Sequence, residues 1–270
     1  MDDINYEKNF AVTTSHRSSA EQIETARQIA SELGVPFVAR NDMPVEQLLQ
    51  KLNTESMLVV SQKKISYVSK GTEFFFHPGL ARLRIKEIKN GKTDQMIKAM
   101  SLERGNSVLD CTMGLGTDAI VASFVAGEKG KVTALESSKV ISFLVRRGLL
   151  VYPETEEDIA RAMRRVEVIN VSSKEYLSQL PSRSFDVIYF DPMFRSPRNC
   201  SPAMNAMRPL AVMSPVDQEM INLAKNAAAR RVVVKERRGS PEFERLGFKK
   251  IIGGRYAPVA YGVMDLTGAV

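Results

Sequence analysis

Apolar residues along this chain recur with two periods, every second position and every third or fourth, and the alternation predicts strands and helices in turn. Residues 9–14 read as a strand. Ser18-Ser19-Ala20-Glu21 then has the spacing of a capping box, opening a helix with the apolar stripe Ile23, Ala26, Ile29, Ala30 and Leu33, which Gly34 and Pro36 end. A short strand to Val38, a helix over 44–52 and strands over 57–60 and 64–68 complete a small α/β unit. After an aromatic strand at 72–76, Leu80, Leu83, Ile85 and Ile88 interleave with Arg82, Arg84, Lys86 and Lys89. This reads as an amphipathic basic segment whose apolar side packs while its charges face a partner. A helix over 93–100 follows, and the domain boundary is expected near residue 95, with a small N-terminal α/β domain at 1–95 and a larger domain at 96–270.

The larger domain is organised around residues 107–118. Val108 and Leu109 form a short apolar run ending in Asp110, and Gly114 and Gly116 let the backbone turn tightly and approach a ligand closely. From Thr117 a helical pattern begins. The next strand, 131–135, ends at Glu136, an acidic residue about 20 residues beyond the turn, where doubly wound folds hydrogen-bond a ribose hydroxyl. Asp110 and Asp118 flank the turn, so its charge suits a cationic ligand better than a pyrophosphate. Helices over 139–150 and 156–164, a strand over 166–170, a helix to Leu180 and a hydrophobic strand over 186–190 come next. A helix over 216–228, a strand over 231–235, a turn at Gly239-Ser240-Pro241 and strands over 249–252 and 259–264 close the chain. Strands alternating with helices imply a mostly parallel sheet, whose ligands sit at the carboxyl ends of its strands. Asp110, Glu136, Ser172 and Asp191 all fall at such ends, on four successive strands.

At 270 residues the chain is long enough for two cores. It has no apolar run of the length that crosses a membrane, and the acidic start Met1-Asp2-Asp3 is unlike a signal peptide, so a cytoplasmic location is expected. Only Cys111, Cys200, His16 and His77 are present as soft ligands, without paired spacing, which argues against a disulfide framework or a metal site. Net charge is +7 but uneven. Residues 61–92 carry eight basic and two acidic side chains, and residues 195–238 carry nine and three, so a polyanionic partner, nucleic acid first, is expected.

Asp191-Pro192-Met193-Phe194 follows a buried strand and looks like the Asp/Asn-Pro-Pro-Tyr/Phe motif of amino methyltransferases, with Met193 in place of the second proline. The chemistry explains the residue types. An exocyclic amine on a base is a poor nucleophile because its lone pair is delocalised into the ring. Acceptors for its N–H groups hold that lone pair toward an electrophilic methyl, while an aromatic side chain stacks on the base. Asp191, the Pro192 carbonyl and Phe194 fill those roles.

Taken with residues 110–119, Leu135-Glu136, Ser172-Ser173, Met207-Arg208 and residues 231–235, that motif resembles the RsmJ-like family of small-subunit ribosomal RNA guanine-N2 methyltransferases. The resemblance covers about residues 75–238, in order. It implies a Rossmann-like class I methyltransferase sheet of seven strands and S-adenosylmethionine as cofactor. The cofactor would be held by Thr117, Asp118, Glu136, Ser137, Ser172, Ser173 and Asp191, beside Asp110, Gly114 and Gly116 of the turn. RNA would be met by Arg82 and Arg84 of the basic segment, by Arg195, Arg198 and Arg208 near the target, and by Lys235. Thr117 and Ser137 stand where the family often has arginine, and Arg195-Ser196-Pro197 replaces a Pro-His-Lys-like run. Other readings are methylation of another RNA amine or of DNA adenine, and a non-catalytic module that binds S-adenosylmethionine and RNA.

Overall fold

The computed structural model describes residues 10–69, 71–192, 210 and 215–268, which group into two compact units. The first holds the described residues up to His77, with Ser138–Leu144 and Leu210. Its sheet has the order β1 (Phe10–Thr14), β2 (Ser56–Val60), β3 (Ile65–Ser69), β4 (Thr72–Phe75), with β1 and β2 parallel and the other pairs antiparallel. Helix α1 (Ala20–Leu33) packs Ala26, Ile29, Ala30 and Leu33 inward, and α2 (Val45–Leu52) packs Val45 and Leu48. The capping box closes one residue later than its spacing predicts. Ser19 accepts from Gln22 N–H and the Gln22 side chain accepts from Ser19 N–H, while the Ser18 hydroxyl donates back to the Ser15 carbonyl at 2.6 Å. The expected strand before Val38 is a single bridge from Phe37 to Val12. Pro36 has no N–H to extend a ladder; its carbonyl instead accepts from Val12 N–H at 2.9 Å.

The second unit begins at Pro78, ahead of the boundary expected near residue 95. The reason is packing: α3 (Gly79–Lys89) lies against α5 (Thr117–Ala126), and α4 (Gln95–Met100) lies against the sheet. Its seven strands run in the order β10 (Lys250–Ile252), β11 (Val259–Asp265), β9 (Ala228–Arg237), β8 (Phe185–Phe190), β5 (Ser107–Asp110), β6 (Lys131–Leu135), β7 (Val166–Ile169). The five strands from β9 to β7 are parallel, and β11 and β10 each pair antiparallel to their neighbour. Helices α6 (Lys139–Val151), α7 (Glu157–Arg164), α8 (Ser173–Ser178), α9 (Gln218–Ala227) and α10 (Glu242–Arg245) are the remaining helices among the described residues. The chain builds outward from β5 through β6 to β7, then returns to lay β8 on the other side of β5. The carboxyl ends of β5 and β8 therefore form the topological switch point, where doubly wound sheets leave a crevice for ligands.

β5 and β8 are buried on both faces, as expected for central parallel strands: Leu109, Val187, Ile188, Tyr189 and Phe190 are all fully enclosed. Among the described residues no helix is long and apolar enough to cross a membrane. Of the two outer antiparallel strands, β10 is largely exposed, but β11 packs tightly. A Cβ at Gly262 on β11 would lie 2.8 Å from Phe243 and Phe248 side-chain carbons and 2.9 Å from Phe248 Cβ, an atom that cannot swing away. Gly262→Ala is therefore expected to lower stability by about 1–3 kcal/mol, the cost of overpacking a filled core. Urea denaturation checks this, and an unchanged midpoint would show that β11 shifts freely.

Candidate active site

The glycine turn that follows β5 is held by bonds to the neighbouring strands. Asp110 Oδ1 accepts from Thr112 N–H at 3.0 Å, Met113 N–H reaches the Leu135 carbonyl at 2.9 Å, and Gly114 N–H reaches Glu136 Oε2 at 3.2 Å. Gly114 and Gly116 both have positive φ, 50° and 75°. A side chain at Gly116 would also meet Val145 Cγ1 at 2.9 Å, so this position needs glycine on both counts. Asn170 caps the rim from β7, donating to the Glu136 and Ser137 carbonyls at 2.8 and 3.0 Å. Thr112 reaches the other way: its hydroxyl oxygen accepts from Asp191 N–H at 2.5 Å, tying the start of the Asp191-Pro192 segment to the glycine turn.

Acidic side chains dominate the rim. The strand register places Phe190 beside Val234, so Asp191, just past β8, lies level with Lys235 on β9, and Lys235 Nζ bonds Asp191 Oδ2 at 2.6 Å and Asp118 Oδ2 at 3.3 Å. Tyr189 donates its hydroxyl to the same Asp118 oxygen at 2.7 Å, and Arg84 takes the other. Arg84 also grips Asp94 through two nitrogens, at 2.8 and 3.0 Å, and Asp94 in turn caps α4 by accepting from Met96 and Ile97 N–H. Burial opposes ionisation of Asp118, yet Lys235 and Arg84 hold it well below the usual carboxylate range. For Asp191 the balance runs the other way. Burial pushes its carboxyl up to about 6, with Asp118 adding, against the pull of Lys235. Burial also pushes Asp110 up to about 8, helped by Asp118 and Asp191 and opposed by Thr112 N–H and Lys235. Asp110 Oδ2 is buried without a hydrogen-bond partner.

These contacts rearrange the residues singled out in the sequence. Asp110, Gly114, Gly116, Glu136, Asp191 and Lys235 converge at one edge of the sheet. Asp118 does not present a free carboxylate to a ligand, because both its oxygens are engaged by protein groups. Ser172 caps α8, accepting from Glu175 N–H at 3.2 Å, and the Ser173 hydroxyl donates to the Cys111 carbonyl, so both hydroxyls have structural partners. Pro192 follows Asp191 on the rim. Phe194, Arg195, Arg198 and Arg208 lie outside the described residues.

The basic segment differs most from expectation. As a helix, α3 buries Ala81 and Ile85 and leaves Leu80 and Leu83 exposed, and its cations turn to acids far along the chain. Arg82 pairs with Glu154 at 3.2 Å, Lys89 with Glu156 and Asp158, and Arg84 with Asp94 and Asp118. Linear charge counting sees none of these partners. Nor does the sequence pattern mark Thr112, Asn170, Asp94 or Tyr189 as site residues. Tyr189 carried the one available signal, since a tyrosine in a fully buried strand needs a partner for its hydroxyl.

Comparison with known proteins decides the family. Residues 43–254 match the family described as "Putative SAM-dependent methyltransferase". The chain belongs to this family. It is 40% identical over 256 residues to the Bacillus subtilis "Uncharacterized protein YpiP", covering 95% of this chain and 99% of that one. It is 28% identical over 229 residues to "Ribosomal RNA small subunit methyltransferase J" of Nitrosococcus oceani, covering 82% and 86% of the two chains. Among solved structures, the SAM-dependent methyltransferase NGO1261 of Neisseria gonorrhoeae superposes with a TM-score of 0.61 at 20% identity, over 96% and 97% of the chains, which shows the shared fold. This chain is thus a class I S-adenosylmethionine-dependent methyltransferase, and its rim suits that cofactor. Asp110 has an unpartnered buried oxygen, the glycine turn admits close approach, and the excess of carboxylates favours a ligand carrying sulfonium and ammonium charge.

Two outcomes follow for this methyltransferase. Arg84→Met leaves Asp118 and Asp94 short of a buried counter-ion and is expected to cost about 3–5 kcal/mol in urea denaturation; a change below about 1 kcal/mol would return Arg84 to the surface cations of little structural weight. Asp110 supplies a pH signature. A carboxyl that keeps its proton more firmly when folded adds stability below the ordinary aspartate range and loses it as pH climbs toward 8. Without ligand, the fall in stability between about pH 4 and 8 should therefore be shallower in Asp110→Asn than in the parent. Parallel curves would show that Asp110 ionises normally.

Proposed function

We propose that this methyltransferase modifies an exocyclic amine of an RNA base, guanine N2 of small-subunit ribosomal RNA, with Asp191 as the residue that orients the amine. The observation that carries the reading is the double anchoring of Asp191. Thr112 holds its backbone against the glycine turn, and Lys235 holds its carboxylate. A carboxylate so fixed accepts one amine N–H, the Pro192 carbonyl accepts the other, and the nitrogen lone pair points out of the base plane. When bound, S-adenosylmethionine would supply an electrophilic methyl group on a sulfonium, which leaves as the uncharged thioether when its carbon–sulfur bond breaks. As nitrogen bonds to carbon it gives up a proton, and Asp191, raised to about 6, can accept it at a carboxylate oxygen before passing it to water. Lys235 meanwhile keeps Asp191 ionised to receive the amine.

Glu136 is proposed to hold the cofactor's ribose hydroxyls, with Ser137 beside it and Ser172 and Ser173 shaping the wall opposite. Phe194 is proposed to stack on the target base, and Arg195, Arg198 and Arg208 to meet its phosphates. The relatives named "Ribosomal RNA small subunit methyltransferase J" support RNA as substrate, and a cytoplasmic location is proposed with it.

Single-turnover methylation of small-subunit ribosomal RNA, read by mass spectrometry of released nucleosides, tests the reading. Asp191→Ala is expected to lower the transfer rate by about 100-fold or more, the scale of a lost positioning contact. Asp191→Asn keeps an acceptor oxygen and should retain part of the activity. Full activity in Asp191→Ala, or a methyl group on a ring carbon or ribose oxygen, would overturn it.

A further inference from the structure

The strand order carries β10 and β11 to the same carboxyl edge as Asp191. β9 runs parallel to β8, and β11 pairs antiparallel with β9, Val259 beside Arg237 and Tyr261 beside Lys235. The connection between β10 and β11, Gly253-Gly254-Arg255-Tyr256-Ala257-Pro258, therefore projects beyond the end of β9 on the active-site rim. At about 4.8 Å per strand, β11 stands about 10 Å from β8 across the sheet.

Tyr256 on this loop is 89% exposed, the most open of the large hydrophobic side chains among the described residues. The loop beneath it is held firmly. Arg238 donates from Nε to the Ala257 carbonyl at 3.0 Å, from a second nitrogen to the Gly254 carbonyl, and from its backbone N–H to the Pro258 carbonyl at 3.0 Å. Ala257 N–H closes the turn on the Gly254 carbonyl at 3.0 Å. Gly253 makes room for the Arg238 guanidinium, which a Cβ would approach to 3.1 Å. Arg255 lies 5.8 Å from the Tyr256 ring centre, and residues 249–258 include Lys249, Lys250 and Arg255 but no acid. An aromatic ring left in water on a clamped loop, with Arg255 beside it, has little entropy left to lose on binding and suits a polyanionic ligand.

We infer that Tyr256 is a stacking platform for an unpaired base of the RNA substrate, flanking the target nucleotide, with Arg255 reaching the adjoining phosphate. The inference rests on RNA being the substrate and adds a contact outside the Asp191-Pro192 segment. Every base offers a π-face, so such a contact grips the strand without demanding one sequence. It also requires the nucleotides beside the target to be unstacked, as in a loop or bulge.

The test measures binding of small-subunit ribosomal RNA and its single-turnover methylation by the parent and variants. Tyr256→Ala should raise the half-saturating RNA concentration by about 5- to 150-fold, the span that stacking on an aromatic gives on alanine substitution. The rate at saturating RNA, the S-adenosylmethionine affinity and the slope of log affinity against log salt should stay as in the parent. Tyr256→Phe should bind like the parent, and Arg255→Ala should reduce the salt slope by about one. Parent-like RNA binding by Tyr256→Ala overturns the stacking contact alone. No RNA binding by the parent overturns both this contact and the RNA reading on which it rests.

Discussion

One ammonium group holds this site together. Lys235, near the end of β9, lies between two carboxylates, Asp191 just past β8 and Asp118 on α5. Without it, two negative charges would face each other across a rim where burial already disfavours both. The arrangement depends on register. Phe190 opposite Val234 brings residues 191 and 235 level, whereas a slip of one residue would turn one of them to the opposite face of the sheet. Fully buried β8 and β9 residues such as Ile188, Phe190, Val232 and Val234 fix that register, so hydrophobic packing sets the position of a polar contact.

The charges on the rim divide the work. Asp118 is saturated by Arg84, Tyr189 and Lys235, and so serves as an internal counter-ion whose network reaches α3 and α4 through Arg84 and Asp94. Asp191 shares the lysine yet keeps 28% of its side chain open, which leaves it able to accept a further hydrogen bond. Asp110, deepest of the three, is raised to about 8 and lacks a partner on one oxygen. A positively charged ligand beside it would draw that carboxyl back down and gain a counter-ion in return. The methyl donor of this family carries such charge.

The placement of basic residues has a related logic. Cations on α3 are largely spent on Glu154, Glu156, Asp158, Asp94 and Asp118. Their role is to fasten α3 to its own unit. The proposed contacts to a polyanion therefore fall to the active-site rim and the β10–β11 connection, and not to the α3 cations, which are engaged by acids of the same unit.

Much of this was written locally in the chain. The alternation of apolar periods located nearly every strand and helix, because each element must bury one face and its period is set by backbone geometry. The glycine turn, Glu136 and Asp191 were legible for the same reason: turn chemistry and strand ends are properties of a few adjacent residues. Side-chain partnership was not. Asp118 sits in the glycine-turn segment and reads as a ligand group, and Arg84 sits in a basic stretch and reads as a phosphate contact, yet they bond to each other over 34 positions. Lys235 finds Asp191 over 44 positions and Asp118 over 117. Whether a charge faces a ligand, a partner or another charge is decided by what the fold brings within about 4 Å of it, since ionic interactions depend on that distance and on burial. The sequence alone therefore determined the elements and the turn. Tertiary structure decided which of the charged residues remain available for chemistry.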